Sequence, residues 1–168
     1  MTLAELNARD HRGFVLALER IFEHSPWVAE AAWQRHPFAS FETLYRALVD
    51  AMRGAGAEAH LRLIRAHPEL SGKAAAAAAL TTDSRAEQAG AGLDRCSPDE
   101  LARLRDLNRA YRTKFGFPFV IAVRGLDRAA ILERLAARLE RDRPTELEEA
   151  LQQIERIAWL RLQATIEA

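Results

Sequence analysis

Apolar residues along this chain recur mostly three or four positions apart, the spacing that places side chains on one face of an α-helix. The first such stripe consists of Phe14, Leu18, Ile21 and Phe22. Asp10 is a plausible cap for its helix. Ser25-Pro26 predicts the end of this helix and the start of a short one, which ends near His36-Pro37. The pattern therefore predicts two successive helices between Asp10 and His36.

The clearest amphipathic stripe follows Ser40, the predicted N-cap of the next helix. Its apolar positions are Phe41, Leu44, Tyr45, Leu48, Val49 and Met52. Gly54 and Gly56 close it. A further apolar run then stops before His67, because Pro68 disfavours the α conformation for the residue that precedes it. His67 is therefore predicted to lie at a helix terminus.

Start signals predict the helices of the second half. Ser97-Pro98-Asp99-Glu100 is a capping box with proline at the first helical position. Its helix carries Leu101, Leu104, Leu107, Tyr111 and Phe115, and Gly116 ends it. Asp127 is the predicted cap of a helix with Ile131, Leu132, Leu135 and Leu139. Thr145 and Glu148 have capping-box spacing and predict the start of the last helix.

Two stretches depart from the helical pattern. Phe117 to Val123 is β-like and lies between Gly116 and Gly125. One short strand cannot form a sheet, so we expect an extended segment against helices, with water or a ligand as partner for its backbone groups. The segment from Ser71 to Leu80 contains six consecutive alanines. Alanine favours helix but offers little apolar bulk, which predicts a weakly packed connection.

Length and composition predict one domain, residues 1–168, with the architecture of an all-α multi-helix bundle. Acidic and basic residues balance at 24 each, so no basic face favours nucleic acid or an anionic membrane. The single cysteine, Cys96, excludes an intrachain disulfide.

No apolar run could span a bilayer, no signal-peptide core is present and the C-terminus is not a peroxisomal signal. We expect a cytoplasmic protein, and its richness in Ala and Arg suggests a bacterial source.

His67 is a candidate for proton transfer, because imidazole titrates near neutral pH. The alternative is a surface histidine at a helix end. The five histidines include no H-E-x-x-H or E-x-x-H pair, which argues against a metal hydrolase or a di-iron bundle. We expect no metal site.

Arg161 lies on the inward stripe of the last helix, where a buried guanidinium needs a carboxylate. Three interpretations remain open. Arg161 forms a structural salt bridge, or its apolar stem is buried while the guanidinium reaches water, or it binds an anionic ligand. Glu87 has two interpretations as well. Ser84 and Glu87 have capping-box spacing and start a helix, or they use that helix N-terminus to bind an anion.

Three motifs, in this order, resemble the OHCU decarboxylase family, where OHCU is 2-oxo-4-hydroxy-4-carboxy-5-ureidoimidazoline. They are His67-Pro68-Glu69-Leu70, then Leu80-Thr81 with Ser84-Arg85-Ala86-Glu87-Gln88 leading to Ala91-Gly92-Leu93, and Lys114-Phe115-Gly116-Phe117-Pro118-Phe119-Val120. The resemblance implies a helical, usually homodimeric enzyme without a cofactor. Its small-molecule substrate would be OHCU, and its products (S)-allantoin and carbon dioxide, in urate degradation.

The resemblance also implies a set of site residues. His67 matches the catalytic proton donor, and Glu87 and Arg161 match catalytic positions. The substrate-contacting positions are matched by Pro68, Ser84, Arg85, Ala86, Glu87, Gln88, Phe119, Val120, Ile121, Ala122 and Val123. We expect His67, Glu87 and Arg161 to converge in one apolar hollow.

Two other functions are compatible with the same residues. The chain could be a non-catalytic helical module that binds a partner through a groove, with His67, Glu87 and Arg161 as ordinary structural residues. It could also be a relative of the family that acts on a similar ureido acid.

Overall fold

The computed structural model of the protein describes residues 1–71 and 80–167. In these ranges the helices are α1 (Leu3–Asn7), α2 (His11–Leu18), α3 (Trp27–Ala32), α4 (Phe41–Arg53), α5 (Ala57–Ala66), α6 (Thr82–Gly90), α7 (Pro98–Phe115), α8 (Arg128–Leu139) and α9 (Arg143–Thr165). Short 3₁₀ segments cover Trp33–Arg35 and Leu93–Arg95. The described residues form no sheet, so the predicted all-α class is confirmed. The alanine run from Ala74 to Ala79 lies outside the described residues.

The contacts of the fold divide the chain into two compact units. The terminal unit comprises Met1–Ala66 and Ile154–Ala168, and the central unit comprises His67–Gln153. The single-domain organisation expected from the length stays a prediction. Among the described helices, none combines the length and apolar character that a membrane crossing requires.

In the terminal unit, the predicted helix caps agree with the structure better than the predicted helix lengths do. Asp10 caps α2 by accepting the Gly13 N–H at 2.8 Å, as predicted. The helix then ends at Leu18 rather than continuing, and the rest of its predicted stripe is buried in the turns that follow. Ser40 caps α4 as predicted. Helix α1, whose start is a capping box between Thr2 and Glu5, was not predicted from the apolar pattern.

In the central unit, α7 begins with the predicted box between Ser97 and Glu100, and it packs against α8, which Asp127 caps. Gly116 ends α7 in the left-handed conformation, with φ of 78°. That backbone conformation costs a residue with a side chain strain that glycine avoids. The helix end predicted at this glycine is therefore confirmed.

The start of α9 differs from its prediction. Asp142 accepts the Thr145 N–H at 2.8 Å, and the helix begins at Arg143. Thr145 is thus the residue whose N–H is capped, so the predicted box between Thr145 and Glu148 is wrong. Residues three apart also face each other inside a helix, and their spacing alone does not distinguish the cap from the first turn.

Candidate active site

His67 follows directly on the last residue of α5, Ala66, and precedes Pro68. The helix end predicted from this proline is confirmed. The histidine is buried, with 7% of its surface exposed. This burial excludes the alternative of a surface histidine at a helix terminus.

The main chain beyond Pro68 is held by the side-chain amide of Gln88 on α6. Its Oε1 accepts the Ser71 N–H at 3.0 Å, and its Nε2 donates to the Glu69 carbonyl oxygen at 3.4 Å. Gln88 is 6% exposed. Since both ends of the amide are used in this way, Gln88 orients the segment that follows His67. Its predicted contact with substrate remains untested.

Asn108 on α7 holds the same segment from a second helix. Its Nδ2 donates to the Leu70 carbonyl oxygen at 2.8 Å, and the residue is 6% exposed. Asn108 was not predicted as a site residue, and Leu107 was instead predicted on the buried face of α7. The signal was present, because Asn108 continues the spacing of Leu104 and Tyr111, which are both buried.

Helix α6 presents one buried face to the central unit. Thr81 caps this helix by accepting the Ser84 N–H at 3.3 Å, so the predicted capping box between Ser84 and Glu87 is wrong. Ser84 and Gln88, four positions apart, are both buried. Glu87 is half-buried and lies in the body of the helix rather than at its N-terminus.

The remaining two residues of the motif on α6 have a different environment. Arg85 and Ala86 are exposed, in contrast to Ser84 and Gln88. Their predicted contacts with substrate stay predictions.

The run from Phe119 to Val123 has no helix or strand, and each of its residues is buried. Arg138 on α8 donates to the Val120 carbonyl oxygen at 2.8 Å. Gln153 on α9 accepts the Ala122 N–H at 2.9 Å. Water or a ligand was expected to satisfy such groups, but for these two the partners are protein side chains. Neither partner was predicted, since 18 and 31 positions separate Arg138 and Gln153 from the groups that they bind.

Arg138 belongs to a buried polar network in the central unit. Its Nε lies 2.8 Å and 3.2 Å from the two carboxylate oxygens of Glu146, and the Tyr111 hydroxyl donates to the same carboxylate. Glu146 is 0% exposed and Arg138 is 4% exposed. Burial raises the pKa of Tyr111 far above its ordinary value, and the hydrogen bond to Glu146 raises it further, so the hydroxyl stays a donor.

Arg161 is buried in the terminal unit, where Nη1 lies 2.7 Å from Oε2 of Glu23. The same nitrogen donates to the Arg20 carbonyl oxygen at 3.2 Å. The prediction that this guanidinium requires a carboxylate is confirmed. Glu23 itself was missed, although an acidic residue directly after buried Ile21 and Phe22 was a usable signal. Whether Arg161 also binds an anionic ligand is untested by this pairing.

A family model described as OHCU decarboxylase matches residues 7–163. The chain belongs to the OHCU decarboxylase family. The matched range includes every site residue that the resemblance predicted.

Curated members of this family are similar to the chain along almost its whole length. The 2-oxo-4-hydroxy-4-carboxy-5-ureidoimidazoline decarboxylase of Haloferax volcanii is 41% identical over 162 residues, which cover 96% of this chain and 94% of the relative. The enzyme of the same name from Halalkalicoccus jeotgali is 37% identical over 163 residues, which cover 97% and 90%. These lengths leave little of either relative without a counterpart in this chain.

Solved structures agree with the assignment to the OHCU decarboxylase family. The crystal structure of an (S)-allantoin synthase superposes with a TM-score of 0.81 at 28% sequence identity. The superposition covers 99% of this chain and 55% of that one. The chain thus spans about half the length of that solved protein.

The residues that the family resemblance singles out fall in both units. His67 and Glu87 belong to the central unit, whereas Arg161 belongs to the terminal unit. The expected convergence of these three side chains stays a prediction.

Two observations concern possible metal ligands and the single thiol in the described parts of the chain. Within residues 1–71 and 80–167, no three His, Cys, Asp or Glu residues are grouped so that they could hold a metal ion. Cys96 is partly buried, and this burial raises the pKa of its thiol. A raised pKa reduces the thiolate fraction, so Cys96 is a weaker nucleophile than an ordinary cysteine.

Proposed function

We propose that this chain decarboxylates OHCU in urate degradation, giving (S)-allantoin and carbon dioxide, with His67 as the proton donor. The observation that carries the proposal is the burial of His67, the family's expected proton donor, on a segment that Gln88 and Asn108 hold in place. A proton donor fixed in this way can reach one face of a bound substrate and not the other.

The reaction requires no external electron acceptor. When the bond between the ring carbon and the carboxylate breaks, its electron pair forms a ring double bond, and the imine nitrogen of the substrate takes the charge. His67 then delivers a proton to the ureido-bearing carbon. The neighbouring hydroxyl becomes the carbonyl of allantoin, and the proton that it releases neutralises the charged ring nitrogen. The substrate acts as its own electron sink, so the protein has to orient it and protonate one face.

The backbone of the run from Phe119 to Val123 is suited to hold the ureido group. In an extended chain, the polar groups of alternate residues point to opposite edges. Arg138 and Gln153 occupy the Val120 carbonyl and the Ala122 N–H. In the extended conformation that the sequence predicts for this run, these two groups share one edge. The N–H and carbonyl of Ile121 then face the other edge, and no residue within 1–71 or 80–167 bonds to them. A ureido group carries the matching donor and acceptor.

The side chains of the same run would surround the carboxylate with apolar groups. Phe119 and Ile121 are 1% and 5% exposed. A carboxylate among such side chains loses its hydration, which favours its departure as neutral carbon dioxide. The ring amides would be bound by Ser84, Glu87 and Arg161. These contacts would keep the carboxylate out of the plane of the ring.

We also propose a cytoplasmic location for the protein. The family resemblance further suggests a homodimer that needs no cofactor. Light scattering on the purified protein measures its mass in solution, and a monomeric mass would remove the dimer from the proposal.

His67→Asn tests the proposed proton donor. Purified variant and wild type are supplied with freshly generated OHCU, and the product is followed by circular dichroism, because the unaided reaction gives racemic allantoin. We expect wild type to form (S)-allantoin and the variant to lose enantioselective turnover while it keeps its helical spectrum. Retention of (S)-allantoin formation by the variant would reject His67 as the donor.

His24→Asn is the matched control for this experiment. His24 is exposed and has φ of 46°, a left-handed conformation that asparagine tolerates well. The same substitution there should leave activity unchanged. An equal loss in both variants would point to a general effect of removing a histidine.

A further inference from the structure

Phe119 belongs to a cluster of four residues in the central unit, in which each residue contacts two of the others. The guanidinium carbon of Arg138 lies 4.4 Å from the centre of the Phe119 ring. Tyr111 meets the same ring edge-on, with ring centres 5.3 Å apart. Glu146 joins the two, because it accepts hydrogen bonds from Arg138 and from the Tyr111 hydroxyl. The chain therefore holds the first residue of the proposed binding run from two sides.

Two of the three guanidinium nitrogens of Arg138 have a hydrogen-bond partner in this cluster. Nε binds Glu146 and Nη1 binds the Val120 carbonyl oxygen. Nη2 is buried and has no hydrogen-bond acceptor among the described residues. The guanidinium lies against the aromatic ring of Phe119, whose negatively polarised face partly compensates a cation. The Arg138 side chain thus contacts the Phe119 ring and donates a hydrogen bond to the Val120 backbone.

Stability alone does not account for this arrangement. A fully buried ion pair often contributes no more to stability than apolar residues of the same volume, because desolvation of both charges offsets their attraction. What the pair supplies is direction, since a planar guanidinium held by a carboxylate has one orientation. That orientation places the Val120 carbonyl, and with it the neighbouring polar groups of Ile121.

We propose that Arg138 is a positioning residue for decarboxylation, which acts by fixing Phe119 and Val120 and so aligns the Ile121 backbone for the substrate. The catalytic part of this inference rests on the function proposed above. The positioning part concerns the central unit alone. Lysine cannot replace Arg138, because a single ammonium cannot bind Glu146, the Val120 carbonyl and the Phe119 ring at once.

Two variants test the inference. Arg138→Lys keeps the positive charge and removes the planar fork. The double variant Arg138→Met with Glu146→Gln removes both charges together, so that neither is left buried alone, and it keeps an acceptor for Tyr111. Arg141→Met is the matched control. Arg141 also reaches Glu146, at 3.5 Å, but it is 43% exposed and its hydrogen bonds go to Glu146 and Glu149.

The first readout is amide hydrogen exchange of the peptide that covers residues 117–124. We expect faster exchange there in both Arg138 variants and an unchanged rate in Arg141→Met. If Arg138→Lys folds and its exchange equals that of wild type, Arg138 does not position the run and the inference is overturned.

The second readout is turnover of OHCU with analysis of the product's handedness. Misplacement of a binding group by about 1 Å costs roughly 100-fold in rate, so we expect kcat/KM of both variants to fall by about that factor and the (S) excess to decrease. Unchanged kcat/KM in a variant with faster exchange would overturn the catalytic part. A wild-type protein that does not act on OHCU would instead reject the proposed function, while the exchange experiment still decides the positioning.

Discussion

Oε2 of Glu23 lies 2.7 Å from Nη1 of Arg161, although 138 positions separate the two residues in the chain. Both are buried, with 2% and 7% of their surfaces exposed. This pair joins the segment after α2 to the last helix within the terminal unit. It holds Arg161 in one orientation, whatever else that guanidinium contacts.

Glu23→Gln should destabilise the protein, because it leaves the Arg161 charge buried without its carboxylate. The expected loss is about 3 kcal/mol of unfolding free energy, measured by urea titration. Glu155→Gln is the control, since the pair of Glu155 with Arg53 is roughly a quarter exposed and should contribute less than about 1 kcal/mol. Equal losses in the two variants would contradict a special role for the buried pair.

Arg161→Lys tests the proposed contact of Arg161 with substrate. Lysine keeps the charge that faces Glu23 but lacks the planar guanidinium, whose several N–H groups could bind Glu23 and the substrate together. We therefore expect kcat/KM to fall by about 10- to 100-fold. Steady-state turnover of OHCU measures the effect. Arg156→Lys, at an exposed position of the same helix, is the control. A catalytic efficiency equal to that of wild type would remove Arg161 from the site.

Gln88→Met should impair catalysis through the segment that follows His67. Methionine has a similar volume but lacks both hydrogen bonds, to the Ser71 N–H and to the Glu69 carbonyl. We expect a lower kcat and a smaller (S) excess, since His67 becomes less well oriented. A rise in KM alone would favour direct substrate binding by Gln88. Gln152→Met, at an exposed position of α9, should change neither quantity.

Asp142 predicts a pH dependence that can be measured. Its hydrogen bonds from the backbone N–H and the side chain of Thr145 hold the pKa of Asp142 below its ordinary value of 3.8. A carboxylate whose pKa is lowered by folding stabilises the protein above its unfolded pKa, and this contribution is lost as pH falls through the folded pKa. Asp142→Asn keeps the cap but does not titrate.

The measurement is the difference in Tm between wild type and Asp142→Asn across the acid range. We expect the Tm of wild type to exceed that of the variant above about pH 4, and this difference to disappear toward lower pH. A difference that grows as the pH falls would have the wrong sign and would reject Asp142 as the cap of α9.

Some features of this protein follow from local sequence. The helix end before His67 is predicted because Pro68 restricts the backbone of its neighbour, and the end at Gly116 is predicted because glycine tolerates a left-handed φ. The caps at Ser40 and Asp127 are equally local. All of these depend on contacts within four residues, which the sequence displays directly.

Cap register is a local feature that the sequence left ambiguous. At both α6 and α9 the predicted cap lies three residues too late. Thr81 caps α6 by accepting the Ser84 N–H, and Asp142 caps α9 by accepting the Thr145 N–H. Polar residues three apart satisfy the capping pattern in either position. The geometry of the chain decides which of them has a helical backbone.

The partners of the buried polar groups were decided by tertiary structure. The stripe on α9 predicts that Arg161 needs a carboxylate, yet nothing near it in the chain identifies Glu23. The Val120 carbonyl likewise requires a donor, and only the packing of the central unit supplies Arg138. The periodicity of the chain determines which face of a helix is buried. Which buried groups meet depends on contacts between distant residues, and those exist only once the chain has folded.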